Sequence, residues 1–137
     1  CKINKIQTKD SNFDSMKNKI EYPIYIEDFK TRRSRTKLFE NNDYEIVLIG
    51  WEPGAKSNIH NHAGLGCIYF SILGDLVEER YNTKTLDLMQ TENLLLNEVE
   101  YIDNSIAYHK IKNTSKQYSF SLHIYSPPNF ISTHFSN

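Results

Sequence analysis

An all-β fold, mainly antiparallel and closed into a jelly-roll β-barrel, is the fold class this chain predicts. Three observations lead there. Nine tyrosines and seven phenylalanines among 137 residues favour strands over helices. Seven short segments rich in β-branched and aromatic residues follow one another at roughly ten-residue spacing. Turn material separates them, a rhythm that belongs to sandwiches and barrels rather than to βαβ units.

The elements follow in chain order. Residues 1–20 read as a polar N-terminal extension, in which SNFDSMKNKI (11–20) suits a short helical segment capped by Ser11 or Asn12. The basic run KTRRSRTK (30–37) reads as a solvated edge ahead of the first core strand; alternatively, one arginine turns inward onto an anionic ligand. The strands are then expected at YEIVLIGW (44–51), CIYFSIL (67–73), DLVEERY (75–81), KTLDLMQ (84–90), NEVEYI (97–102), AYHKIK (107–112) and QYSFSLHIY (117–125). EPGAKSN, GD, YNTK, DNS and NTSK supply the turns. One domain over 1–137 is expected, with its core barrel at 44–128.

Composition excludes several classes of function. A formal net charge of −1 gives no field for nucleic acid or an acidic membrane. No apolar run reaches the ~18 residues of a membrane-spanning helix. No charged-then-apolar leader is present, and Cys1 and Cys67 alone are no disulfide framework, so a cytoplasmic setting is expected.

The chemistry concentrates in NIHNHAGLGCIYFSILG (58–74). On a strand, His60 and His62 share a face, ~6–7 Å apart along the backbone, and two imidazoles so placed can converge on one ion. Gly54 stands before the pair and Gly74 after it, at spacings that resemble the first cupin motif, with Cys67 where cupins commonly carry glutamate. His109 and Asn113 match the His-x3-Asn ending of the second cupin motif, although Asn104 and Ile106 replace its usual proline and glycine. The resemblance implies a small barrel with a metal held by His60, His62 and His109. Three neutral imidazoles suit iron, manganese or zinc, so the ligands leave the metal open.

The last strand adds a second pattern. Ser121, His123 and Tyr125 alternate onto one face, with Phe120, Leu122 and Ile124 on the other. Three polar side chains in line suggest a hydrogen-bonded relay from hydroxyl to imidazole to phenol. A solvent-facing polar side is the plain alternative.

With both patterns in hand, WEPGAKSNIHNHAGLGCIYFSILGDL and YIDNSIAYHKIKN…SLHIYSPP resemble the thiol dioxygenases, the cysteine dioxygenases in particular, over roughly residues 20–130. The resemblance implies Fe(II) on His60, His62 and His109, and conversion of L-cysteine and O2 to cysteine sulfinic acid. It implies a thioether cross-link between Cys67 and the Tyr125 ring, with Tyr125 oriented by His123 and Ser121. It also implies an arginine for the substrate carboxylate. Alignment places it at Arg35, with Arg32 and Arg33 one short loop shift away. Arginine rather than glutamine there, together with Cys67, favours cysteine over 3-mercaptopropionate. The family's tyrosine two residues before the arginine is replaced by Arg33. The short tail after SPP suggests a more open pocket, with His134 exposed, and a monomer is expected. A dioxygenase for another small thiol, a non-catalytic metal-binding cupin, and a zinc hydrolase or isomerase are the competing readings.

Overall fold

A computed structural model describes residues 32–135. The strands are β1 (Arg33–Glu40), β2 (Glu45–Trp51), β3 (Ile59–His60), β4 (Gly66–Leu73), β5 (Leu76–Tyr81), β6 (Leu88–Leu94), β7 (Glu100–Ile102), β8 (Tyr108–Asn113), β9 (Ser119–Ser126) and β10 (His134–Phe135). They form two five-stranded sheets, ordered β1-β2-β9-β4-β7 and β10-β3-β8-β5-β6, in which every strand pairing is antiparallel. The expected all-β barrel is therefore present. The expected helix at 11–20 lies outside the described residues.

Alternation sorts the side chains. Val47, Ile49 and Trp51 of β2, Cys67 and Tyr69 of β4, Leu76 of β5 and Ile111 of β8 pack into one buried cluster, with Tyr125 against it. Leu48, Phe70, Phe120 and Leu122 form a second cluster from the opposite parity of β2, β4 and β9. Burying a large apolar side chain contributes ~1.5–3 kcal/mol, so these two layers hold the barrel and fix its register. That register lays Ser121, His123 and Tyr125 opposite Ser71, Tyr69 and Cys67 across β9 and β4.

Three segments differ from the sequence reading. The basic run is largely strand: β1 lies at the outer edge of its sheet and pairs with β2 along its length. The strand expected at 84–90 begins only at Leu88. Asn82 Oδ1 accepts the backbone N–H groups of Lys84 and Thr85, and Leu86 takes a positive φ of 61°, which closes a turn where alternation pointed to a strand. Similarly, Asn97 at φ 64° delays the start of β7 to Glu100.

Gly66 opens the strand that carries Cys67. Its φ is +96°, and a Cβ built there would lie 2.6 Å from the Ile102 carbonyl oxygen and 2.7 Å from Tyr101 Oη. Gly66→Ala is expected to lower unfolding free energy by ~2–4 kcal/mol, combining left-handed strain with a backbone clash. Urea denaturation checks this; a change under about 0.5 kcal/mol would mean that β4 can shift to make room.

Candidate metal centre

Three imidazoles meet between the sheets. His60 ends β3 and is the direct cross-strand partner of His109 on β8, so the two side chains share a face. His62 lies beyond the end of β3, and strand alternation is not what aims it. Asn104 does so: its Oδ1 accepts the His62 backbone N–H at 2.8 Å and the His62 Nδ1–H at 3.2 Å, and its Nδ2 donates to the His62 carbonyl. Ring centroids stand 4.6 Å apart for His60–His109, 4.6 Å for His62–His109 and 5.7 Å for His60–His62. One nitrogen from each ring lies within 4.8 Å of the other two.

The hydrogen bonds decide which nitrogens these are. His60 Nδ1 lies 2.8 Å from the Asn58 carbonyl oxygen, and His109 Nδ1 lies 2.7 Å from the Glu78 carboxylate. All three Nδ1 atoms therefore face acceptors and carry the proton, which leaves three Nε2 lone pairs pointing inward. His60 Nε2 and His109 Nε2 approach to 3.1 Å with no proton to share. His62 Nε2 is buried and has no hydrogen-bond partner among the described residues. Converging lone pairs in a buried site repel unless a cation lies among them, so this donor set fits a metal ion.

Burial keeps these rings neutral. It holds His60 and His109 well below the ordinary histidine range, reinforced at His60 by His109 and at His109 by His62 and His123, and it lowers His62 to about 4. The contact between His109 and Glu78 is thus a neutral N–H donating to a carboxylate. Glu78 also accepts from the Tyr69 phenol, and Arg80 Nε donates to its other oxygen at 3.2 Å. The sequence reading missed Glu78, Asn104 and Tyr69. Alternation along β5, with Leu76 and Glu78 on one parity, was the available signal for Glu78.

The β9 row behaves differently from the expected relay. Trp51 Nε1 donates to Ser121 Oγ at 2.9 Å, which leaves the Ser121 hydroxyl to donate to His123 Nε2 at 2.8 Å. His123 Nδ1–H then faces the Cys67 sulfur at 3.9 Å rather than the phenol. The Tyr125 ring stacks on His123, with centroids 5.7 Å apart and planes 14° from parallel. Geometry along β9 explains the break. Residues two apart on a strand stand side by side, so flat rings at 123 and 125 stack instead of bonding end to end. Burial, then Arg35, pushes His123 down to about 3. Burial also raises the Cys67 thiol and the Tyr125 phenol, so both stay protonated.

A cavity of about 560 Å³ opens beside the histidines, lined by Arg33, Arg35, Glu45, His60, His62 and Tyr125 among others. Arg35 Cζ lies 5.6 Å from the Tyr125 ring centre, and Arg33 Cζ lies 5.5 Å from that of Trp51. Arg32 points elsewhere, towards Glu52 at 3.6 Å. His134 is exposed as expected, yet it lies on β10 beside His60 and lines the same cavity.

The depressed histidines have a consequence for stability. In the unfolded chain they take up protons near pH 6.5, whereas folded His62 and His123 resist until about 4 and 3. The unfolded state therefore binds more protons across that window, and stability falls as pH drops below 6.5. Metal-free protein is expected to lose ~1.4 kcal/mol per pH unit for each such group. Urea midpoints measured from pH 7 to 4.5 check this; a flat profile would mean that the rings are reached by water.

A two-sheet antiparallel barrel with three histidines converging inside it is a cupin. A double-stranded β-helix protein from Klebsiella pneumoniae superposes with a TM-score of 0.64 at 16% identity, covering 77% of this chain and 86% of that one. An oxalate oxidase solved with glycolate gives 0.62 at 14% identity, over 76% and 55%. The family model described as "Cysteine dioxygenase type I" matches residues 3–137, and the chain belongs to that family. Cysteine dioxygenase type 1 of Bos taurus is 28% identical over 118 residues, which cover 81% of this chain and 59% of that protein. The Homo sapiens protein of the same name is 28% identical over 115 residues, covering 79% and 58%. The chain thus spans under two thirds of the length of these relatives.

Proposed function

We propose that this protein is an iron(II)-dependent thiol dioxygenase that oxidises L-cysteine with O2 to cysteine sulfinic acid. The observation that carries the reading is the set of three unprotonated Nε2 atoms on His60, His62 and His109, in a chain of the cysteine dioxygenase family. His60, His62 and His109 would hold ferrous iron, which would supply the redox chemistry for O2 and a soft-ligand site for a thiolate.

The chain's own residues do the rest. Arg35 holds the substrate carboxylate through two parallel N–H···O bonds. Tyr125, under that guanidinium, turns its hydroxyl towards the bound substrate. Ser121 fixes the His123 tautomer, and His123 holds the phenol in place by stacking.

Cys67 and Tyr125 are direct partners across β4 and β9, which favours the proposed thioether. Its formation joins Sγ to a ring carbon, with loss of the thiol hydrogen and one ring hydrogen to O2 as oxidant. The product is lighter by two hydrogens, which intact-protein mass spectrometry reads directly. A single-domain, monomeric, cytoplasmic enzyme completes the proposal, and no described helix is long and apolar enough to cross a membrane.

The test is product formation. Protein loaded with ferrous iron is supplied with air and L-cysteine, 3-mercaptopropionate or cysteamine, and the sulfinates are quantified by mass spectrometry alongside oxygen uptake. Cysteine sulfinate in excess of the other products is expected. Preference for 3-mercaptopropionate would move the assignment to another thiol. No oxidised product with iron bound would leave a metal-binding cupin without this activity.

A further inference from the structure

Tyr69 is a phenol where the core asks only for an apolar ring. It lies within β4, is 0% exposed, and packs in the same buried cluster as Cys67. A phenylalanine would fill that space without carrying a hydroxyl out of water, which costs free energy unless the group is hydrogen-bonded. The hydroxyl is bonded twice: it donates to Glu78 Oε2 and accepts from Arg80 Nη2 at 3.0 Å. Arg80 makes two further contacts. Its Nε donates to Glu78 Oε1 at 3.2 Å, and its Nη2 also reaches the Tyr101 carbonyl oxygen at 3.0 Å. Glu78 is thereby held at both oxygens, with the His109 Nδ1–H as a third donor at 2.7 Å.

These contacts come from both sheets. Tyr69 and Tyr101 belong to β4 and β7 of the first sheet; Glu78, Arg80 and His109 belong to β5 and β8 of the second. Arg80 is the direct cross-strand partner of His109, so the two share the inner face, and Glu78 reaches His109 from two residues along β5. The Tyr69 ring also stands edge-on to His109, with centroids 5.3 Å apart and planes at 73°. An imidazole tied at one nitrogen aims the other only as well as its partner is fixed. A flexible glutamate held by His109 alone would turn with the ring instead of restraining it. We propose that Tyr69 and Arg80 are positioning residues of the metal centre: acting through Glu78, they fix the His109 Nδ1–H bond and so aim the His109 Nε2 at the ion. This rests on the metal-binding half of the reading above and not on the thiol reaction.

The experiment is titration of the metal-free protein with cobalt(II), read by visible absorption and by competition with a chromophoric chelator. Tyr69→Phe removes the hydroxyl and keeps the ring; affinity is expected to fall ~10-fold, the lower end of the loss when a group behind a ligand is removed. Arg80→Lys keeps the charge but cannot bridge the same three acceptors, and should lose a similar ~10-fold. It carries the test should Tyr69→Phe fail to fold. A double-mutant cycle separates positioning from packing. In a Glu78→Gln background, Tyr69→Phe should change affinity by less than ~3-fold, because the carboxylate through which it acts is gone. Glu79→Gln breaks the contact with Lys112 on the opposite parity of β5 and should leave affinity within ~2-fold. Unchanged affinity in folded Tyr69→Phe would overturn the proposal. So would a full ~10-fold loss in the Glu78→Gln background, or an equal loss in Glu79→Gln, either of which would reduce Tyr69 and Arg80 to packing. Cobalt binding that follows the cycle, in a protein that forms no sulfinate, would count against the reaction and uphold the positioning role. Wild-type protein that binds no cobalt would overturn both.

Discussion

Replacing His109 with alanine is expected to remove metal binding and, with it, all sulfinate formation. His109 is the central imidazole of the three, 4.6 Å by ring centroid from each of the others. It is also the one tied to a carboxylate, through the 2.7 Å contact with Glu78. Without it, His60 and His62 remain as a pair 5.7 Å apart, which cannot close a three-sided site. One of three ligands' share of a site worth ~10–16 kcal/mol is about 3–5 kcal/mol, or ~10²–10⁴-fold in affinity. Metal analysis after dialysis against a weak chelator should therefore fall from about one ion per chain to a trace. Glu78→Gln is the graded comparison. The amide keeps the shape and an acceptor oxygen but loses the charge behind the His109 N–H, so affinity should fall only ~10–100-fold. Circular dichroism and a thermal melt separate loss of the site from loss of the fold. Full metal occupancy and turnover in a folded His109→Ala protein would place the metal elsewhere.

The barrel was legible in the sequence because its strands alternate cleanly where they face a core. YEIVLIGW and QYSFSLHIY show the parity that β2 and β9 take up, and the pairing of those strands follows it. The edges were not legible. β1 carries its arginines on an outer strand, where composition reports solvent rather than strand, and β10 is two residues long. β6 is exposed on nearly every residue, so no buried face gave it a periodic signal, and the Asn82 turn could not be located from pattern. The histidine cluster was visible as spacing, but its supports were not. Asn104 stood out as a departure from a motif, and the structure makes it the clamp on His62. Glu78 lies 18 residues from His60 in sequence, on a strand of the same sheet, and sequence distance gave no hint that it backs His109. Motif reading finds groups that touch one ligand; it does not find groups that touch those groups.

Under the proposed activity, Arg35→Ala should cost the protein most of its use of thiols that carry a carboxylate, while cysteamine, which has none, is spared. The basis is geometric. Of the three candidate arginines, Arg32 turns to Glu52, Arg33 lies over Trp51 at the Ser121 end of the row, and Arg35 lies over Tyr125, which packs against the ring of His123. A guanidinium paired with a carboxylate contributes ~1.5–3 kcal/mol for each of its two charge-assisted bonds, so losing the fork should lower kcat/KM for L-cysteine by ~10²–10⁴-fold. Arg35→Lys keeps the charge but offers a point ammonium in place of two parallel donors, and should retain most of the binding with a loss of ~10-fold. Cysteamine turnover should change by less than ~3-fold in both variants, since its interactions run through sulfur and nitrogen alone. Arg33→Ala should weaken both substrates alike, because its contact is with Trp51 and, through it, with the Ser121–His123 row. Steady-state sulfinate assays across the four proteins decide between them. A carboxylate-selective loss in Arg33→Ala in place of Arg35→Ala would move the carboxylate one pleat along β1. The bound thiol would then lie nearer Trp51 than Tyr125, and the phenol could not be the group that orients it.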